Sequence, residues 1–380
     1  MLKGIDNILK YSELFTGKRI GLITSISGVD NDLNSTIEII HKHFNLCALF
    51  GPEHGVRGDK DAGEMVDNYI DEITGVPTFS LYRKDSKRLT KDMLDMIDIL
   101  VYDIQDVGVR YYTFISTLIY ALEDCAKVGK QFIVLDRPNP LGGTVVEGNI
   151  LEPTYKSFIG AYPIATRYGL TVGELAHMVN EEKNIGCDLI VIPCTGWRRC
   201  EMFPKTGQIW VMPSLGIPRF ETALLYTGTC LVEGTNLSEG RGTSCPFELI
   251  GAPFINAHEL VERLKGQKLN GVNFTPAYFT PTSSKHKGVF CKGIHIHITD
   301  YESFESYKTG ITVIEAIKEL YPNDFEFLKP MNQDSRPFIS LLSGNNLFEN
   351  KEWSCEEILE KNKKGLEEFK IQKEKYHIYK

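Results

Sequence analysis

Four stretches of this chain collect side chains that can move protons or hold a polar ligand. Gly51-Pro-Glu53-His54-Gly55-Val-Arg57-Gly58 brings a carboxylate, an imidazole and a guanidinium close together. Asp103-Ile-Gln105-Asp106-Val-Gly108-Val-Arg110-Tyr111-Tyr112 adds two more carboxylates with an amide, an arginine and two phenols. Asp136-Arg137-Pro-Asn139-Pro-Leu-Gly142-Gly143 repeats the acid, base and amide set. The fourth is Glu233-Gly-Thr-Asn236-Leu-Ser238-Glu239-Gly240-Arg241-Gly242-Thr243, where glycines permit tight turns and Arg241 offers a planar fork for a carboxylate or phosphate. Carboxyl groups in a cleft can act as general acid and base. Amides with Tyr111, Tyr112, Tyr162 and Trp197 suit a sugar, which needs hydrogen bonds at its rim and an apolar face to stack on. Each group also has a structural reading. Glu53 can cap a turn, Asp103, Asp106 and Asp136 can pair with Arg110 and Arg137 to tie loops together, and a lone His54 can be a core histidine. Charge gathered on three loops of one edge is costly unless it meets a ligand.

The elements that would carry these loops follow from periodicity. Apolar runs at 19–24, 46–50, 78–82, 98–103 and 131–135 read as strands, and helical periods at 32–44, 90–97 and 111–128 separate them. This alternation implies parallel strands with helical crossovers, an α/β fold with helices on both faces of the sheet. A helix at 171–182 opens on a Thr171-x-x-Glu174 capping box and leads to a strand at 188–193. In such sheets ligands gather outside the carboxyl ends of the strands, which is where the first three loops fall. After a stretch rich in Gly, Pro and aromatics at 197–218 the rhythm changes. Strands are expected at 229–233 and 293–299, and helices at 257–265 and 310–320. That mixture predicts a smaller α+β C-terminal domain, dividing the chain into 1–205, which carries the first three loops, and 206–380.

Composition narrows the partners. The 380 residues are 42% hydrophobic and 24% charged, the balance of a globular protein, and a net charge of -8 gives no cationic surface to gather nucleic acid. No run reaches the roughly 18 apolar residues of a membrane span, and Met1 to Lys10 lacks the pattern of a signal peptide, so a cytoplasmic protein is expected. Nine cysteines without CxxC spacing read as reduced thiols rather than a zinc ribbon or disulfide framework. His295 and His297 share one face of a strand, but no third ligand follows at a recognisable spacing, so they read as structural and no metal is expected. Neither a P-loop nor the Gly-x-Gly-x-x-Gly turn is present, which argues against a nucleotide or dinucleotide cofactor.

Five runs in order, Gly51 to Gly55, Tyr102 to Thr113, Leu135 to Gly143, Thr171 to Ala176 and Glu233 to Thr243, resemble the exo-β-N-acetylmuramidase family NamZ across nearly the whole chain. The resemblance implies a Rossmann-like, mostly parallel N-terminal sheet, a smaller C-terminal domain and a site between them. It also implies a glycosidase that removes N-acetylmuramic acid from the non-reducing end of peptidoglycan fragments during cell-wall recycling, with no cofactor. By that likeness Glu53 is the first catalytic candidate. Asp103, Asp106, Asp136, Glu233 and Glu239 qualify by type as its partner, and retaining, inverting and substrate-assisted routes all stay open. His54, Gln105, Tyr112, Asn139 and Asn236 are expected to bind substrate. One of Arg57, Arg110, Arg137 and Arg241 is expected to pair with the lactyl carboxylate that distinguishes muramic acid from glucosamine. Where the family is expected to have Pro-Ser-Pro-Asn, this chain has Pro213-Ser214-Leu215-Gly216, a difference that bears on substrate preference if the turn meets the sugar. The same loops would also serve a muropeptide-binding or sensing protein without turnover.

Overall fold

Buried strands set the frame. The computed structural model describes residues 1–58, 63–64, 67–330, 335–349 and 353–380. The first half runs β1 (Arg19–Thr24), α1 (Thr36–His43), β2 (Asn45–Gly51), β3 (Tyr69–Ile70), β4 (Pro77–Ser80), α2 (Lys91–Asp95), β5 (Ile99–Asp103), α3 (Phe114–Lys127), β6 (Gln131–Leu135), α4 (Val172–Glu182) and β7 (Leu189–Ile192). These strands form one seven-stranded sheet in the order β3-β4-β2-β1-β5-β6-β7, parallel except for the edge strand β3. Successive side chains of a strand face opposite ways, and both faces here are covered. Ile99 and Val101 of β5 pack with Ile37 and Ile40 of α1, whereas Leu100 and Tyr102 join the larger core that contains Leu118 and Ile119 of α3. The expected α/β architecture is therefore present. α4 begins with the expected capping box, in which the Thr171 hydroxyl accepts from the Glu174 N–H and the Glu174 carboxylate accepts from the Thr171 N–H.

Beyond residue 200 the chain forms α5 (Phe220–Thr229), β8 (Leu249–Ala252), α6 (Ala257–Lys265), β9 (Val272–Phe279), β10 (Cys291–Ile298), α7 (Ser306–Leu320), α8 (Phe338–Ser343) and α9 (Cys355–Glu374). β8, β10 and β9 make a three-stranded antiparallel sheet. α5 and α7 cross at Gly228 and Gly310, where a Cβ on Gly310 would lie 2.3 Å from the Gly228 carbonyl carbon, so only glycine allows this approach. The expected strand at 229–233 is instead the end of α5 followed by a 3-10 turn over Cys230–Gly234. Its β-branched and apolar residues are buried on all sides, and packing of α5 against α7 overrides the local preference. The last residues return to the first sheet: the Tyr379 hydroxyl donates to Asp136 Oδ2 at 2.5 Å and the Ile378 N–H to Glu174 Oε1 at 2.8 Å. Among the described residues no helix is long and apolar enough to cross a membrane.

Strand order reverses between β1 and β5, the place where an open α/β sheet usually presents its ligand crevice. That crevice is filled from within. Asp103, at the end of β5, receives Arg137 Nε at 2.6 Å and Nη2 at 2.8 Å, together with the Thr36 hydroxyl. Both members of the pair are essentially inaccessible. Lys3 closes the opening by donating to the carbonyls of Val29 and Asp30, and burial together with the Arg137 charge pushes its amine down to about 8.

Candidate active site

With the switch point occupied, open space lies beside it, past the carboxyl end of β2 and against the second half of the chain. A cavity of about 300 Å³ is lined by Glu53, His54, Tyr82, Tyr111, Tyr112 and Thr113 from the first half, and by Ser214, Gly216, Tyr226, Glu233, Arg241 and Phe247 from the second. It is at the lower end of the usual size for small-molecule sites. A neighbouring cavity of about 370 Å³ shares Gly216, Glu233 and Arg241 with it and continues over Leu215, Thr243, Pro246 and Ser283.

Glu53 is positioned by a tight turn directly after β2. The Gly55 N–H donates to the Pro52 carbonyl, and His54 takes a left-handed backbone (φ 74°), a conformation uncommon outside glycine. The carboxylate is only 8% exposed. Its Oε2 accepts from the Thr113 hydroxyl at 2.6 Å and its Oε1 from the Gly63 N–H at 2.9 Å. Tyr82 stands beside it: burial, and then the nearby Glu53 charge, push the phenol up to about 12, so it remains a donor at any physiological pH. Aromatic rings form the walls. Tyr226 meets Tyr111, Tyr112 and Phe247 edge-on at centroid distances of 5.3, 6.0 and 4.7 Å, joining the two halves of the chain behind the cavity.

On the opposite side, Arg241 Nε donates to Glu233 Oε1 at 2.8 Å, and the guanidinium lies 4.8 Å from the centre of the Phe247 ring. Burial opposes the Arg241 charge, but Glu233, Tyr226 and Glu239 outweigh it and hold the group above its ordinary value. Gly216 leaves room for this side chain, since a Cβ there would lie 2.8 Å from Arg241 Nη1. Gly216 thus lies on the boundary of both cavities, and Leu215 on that of the second.

Six of the candidate residues face this space: Glu53, His54, Tyr111, Tyr112, Glu233 and Arg241. The others do not line it. Asp103 and Arg137 fill the switch point, as described. Asp136 accepts from the Gly173 N–H and from the hydroxyls of Thr171 and Tyr379, holding α4 and the C-terminus. Asp106 accepts from Tyr168 and from the Gly108 N–H. Glu239 sits behind Arg241, with Lys285 at 3.1 Å and the Ser284 hydroxyl at 2.8 Å. Arg57 pairs with Asp71 at 2.8 Å. Arg110 binds the carbonyls of Asn149, Ile164, Leu342 and Ser343. Gln105, Asn139 and Asn236 each bridge backbone groups, through Pro138, Leu170 and Asp324 respectively. Trp197 meets Tyr379 edge-on and Tyr162 donates to Glu182, both away from the cavity. Tyr82, Tyr226 and Phe247 were not singled out by the sequence. Tyr82 ends the third apolar run and was reachable by the strand-end argument, whereas Tyr226 and Phe247 carry no local signal.

Asp106 provides a pH prediction. Burial raises its carboxyl to about 6 against the opposing hydrogen bonds, and among the described residues its Oδ1 has no hydrogen-bond partner. The folded protein holds a proton that the unfolded chain releases from about 3.8 upward. This contribution to stability is therefore complete below that pH and is lost as pH rises through about 6. Asp106→Asn keeps an acceptor for Gly108 and Tyr168 and stays neutral. Urea midpoints measured between pH 4 and 7 should fall less steeply in D106N than in wild type, and parallel curves would contradict the assignment.

In a two-domain α/β protein, a carboxylate-bearing, aromatic-walled cavity between the halves has the groups to hold a polar ligand and to move a proton. Models described as exo-beta-N-acetylmuramidase NamZ, N-terminal and C-terminal, match residues 20–221 and 224–379, and the chain belongs to this family. It is 49% identical to the peptidoglycan beta-N-acetylmuramidase NamZ of Bacillus subtilis (strain 168), over 99% of this chain and 91% of that protein. Two crystal structures of DUF1343 family proteins from Bacteroides fragilis NCTC 9343 superpose over the full chain and 99% of each neighbour. Their TM-scores are 0.89 and 0.77, at 36% and 31% identity.

Proposed function

We propose that this chain is an exo-acting glycoside hydrolase that releases N-acetylmuramic acid from the non-reducing end of peptidoglycan fragments. The observation that carries the chemistry is Glu53, a nearly buried carboxyl group oriented by Thr113 and Gly63 at the edge of a sugar-sized cavity. Once protonated, Glu53 gives that proton to the glycosidic oxygen as the bond from C1 to that oxygen breaks; water supplies the hydroxyl at C1 and the proton that restores Glu53. Among the described residues Glu233 is the second carboxylate lining the cavity, and its pairing with Arg241 suits it to hold the ring. The aromatic walls take the apolar sugar face, and the neighbouring cavity takes the departing sugar. Residues 1–205 supply Glu53 and 206–380 complete the cleft.

Of the four arginines considered, Arg241 lines the cavity and would receive the lactyl carboxylate, with Glu233 on its Nε edge. Wild type should therefore cleave chromogenic N-acetylmuramic acid β-glycosides and leave N-acetylglucosamine β-glycosides intact. In Arg241→Ala the kcat/KM ratio between the two should shrink by about 10–100-fold, the ~1–3 kcal/mol of a charge-assisted pair. An unchanged ratio would remove Arg241 from this role. Action on fragments taken up into the cell is the accompanying proposal. All nine cysteines are free thiols, which suits a reducing compartment.

A further inference from the structure

The groups left unused by the site include a mixed set of donors on the second sheet. Cys245 and Glu248 lie on the loop leading into β8, and His295 projects from β10. Their ligand atoms all lie within 4.8 Å of one another, with His295 Nε2 3.6 Å from Glu248 Oε2. The His297 ring centre is 4.1 Å from that of His295, on the same face of the strand. A thiol, an imidazole and a carboxylate converging from two elements are the ligand types of a zinc-class ion. From this geometry we infer that Cys245, Glu248 and His295 form a binding site for a divalent transition-metal ion of the zinc class, distinct from the sugar cavity.

The surroundings have the features such a site needs. Glu248 is 4% exposed and already oriented: Arg219 Nε donates to its Oε1 at 2.9 Å and the Thr222 hydroxyl to the same oxygen at 2.5 Å. Those contacts stand as outer partners of a ligating carboxylate. Arg219 also reaches Glu248 Oε2 and lies 3.6 Å from Cys245 Sγ, so it must give up that edge when the ion enters. An ion bound as thiolate, carboxylate and neutral imidazole brings two negative ligand charges to a divalent cation, and the thiol proton is released to solvent. Cys245 and His295 are partly exposed, which gives the ion a way in.

The inference goes beyond the glycosidase reading and does not depend on it. The bound ion would pin the 240–248 loop, which carries Arg241, Thr243, Pro246 and Phe247 of the two cavities, to β10. Sequence spacing could not reveal the site, because about 50 residues separate Cys245 from His295 and only the antiparallel pairing of β8 with β10 brings them together.

The test is titration of chelator-stripped full-length protein with cobalt(II) and with zinc(II), under reducing conditions and in competition with a chromogenic chelator. Wild type should bind about one equivalent and show a sulfur-to-cobalt charge-transfer band. Cys245→Ser should lose the band, and both Cys245→Ser and His295→Ala should weaken zinc binding beyond the ~10–100-fold that loss of an outer partner costs. Cys200→Ser, which removes an exposed thiol elsewhere, should bind as wild type does. Circular dichroism confirms that each variant is folded, and His295→Ala carries the test if Cys245→Ser is not. Absence of the band in wild type, or its persistence in folded Cys245→Ser, would overturn the site.

Discussion

Glu53→Gln is expected to lower kcat by about 10²–10⁴-fold, the usual contribution of a positioned general acid. Gln keeps the size and one acceptor of the side chain, so either the Thr113 or the Gly63 hydrogen bond survives and the turn after β2 keeps its shape. The loss should fall on kcat rather than KM, because the proton is needed only as the glycosidic bond breaks. Steady-state kinetics on a chromogenic N-acetylmuramic acid glycoside separates the two parameters. A kcat within a few-fold of wild type would contradict the role given to Glu53. A protein that binds the sugar in both forms and turns over neither would point to recognition without catalysis.

The second large effect is on stability. Arg137→Met is expected to cost about 3–5 kcal/mol, because it leaves the Asp103 carboxylate inaccessible and without its ion-pair partner. Combining it with Asp103→Asn should recover much of the loss, since a neutral amide in the same place can still meet Thr36. Urea unfolding of wild type, both single variants and the double variant gives the coupling directly. Additive losses in the double variant would contradict the pairing as the feature that closes the switch point. This pair also fills the switch point. The crevice that a nucleotide would occupy in a Rossmann-like sheet is packed with protein, and the cavity lined by Glu53 lies to one side, against the second half of the chain.

Much of this was legible locally. β1, β6 and α6 fall where periodicity puts them, and the capping box of α4 forms from the residues that announce it. The strand-end argument put Glu53 at the same sheet edge as the other acids, and it is the one of the strand-end acids that lines the cavity among the described residues. It could not rank the acids. Asp103 and Glu53 both follow parallel strands, but the former ends β5 facing Arg137 from 34 residues further along, and the latter is lifted past the sheet edge by the left-handed backbone of His54. Asp136 and Asp106 likewise meet partners, Tyr379 and Tyr168, whose approach depends on tertiary packing. The same holds for the cavity wall from the second half. Tyr226 and Phe247 are aromatic residues in apolar surroundings, and nothing in their neighbours distinguishes a wall from a core.

The most direct measurement is a time course on a defined tetrasaccharide alternating N-acetylmuramic acid and N-acetylglucosamine, with muramic acid at the non-reducing end, analysed by mass spectrometry. Wild type should first release free N-acetylmuramic acid and leave a trisaccharide that begins with N-acetylglucosamine, while Glu53→Gln leaves the substrate intact over the same period. Release of disaccharides from the interior, or no cleavage by wild type, would contradict an exo-acting muramidase centred on Glu53.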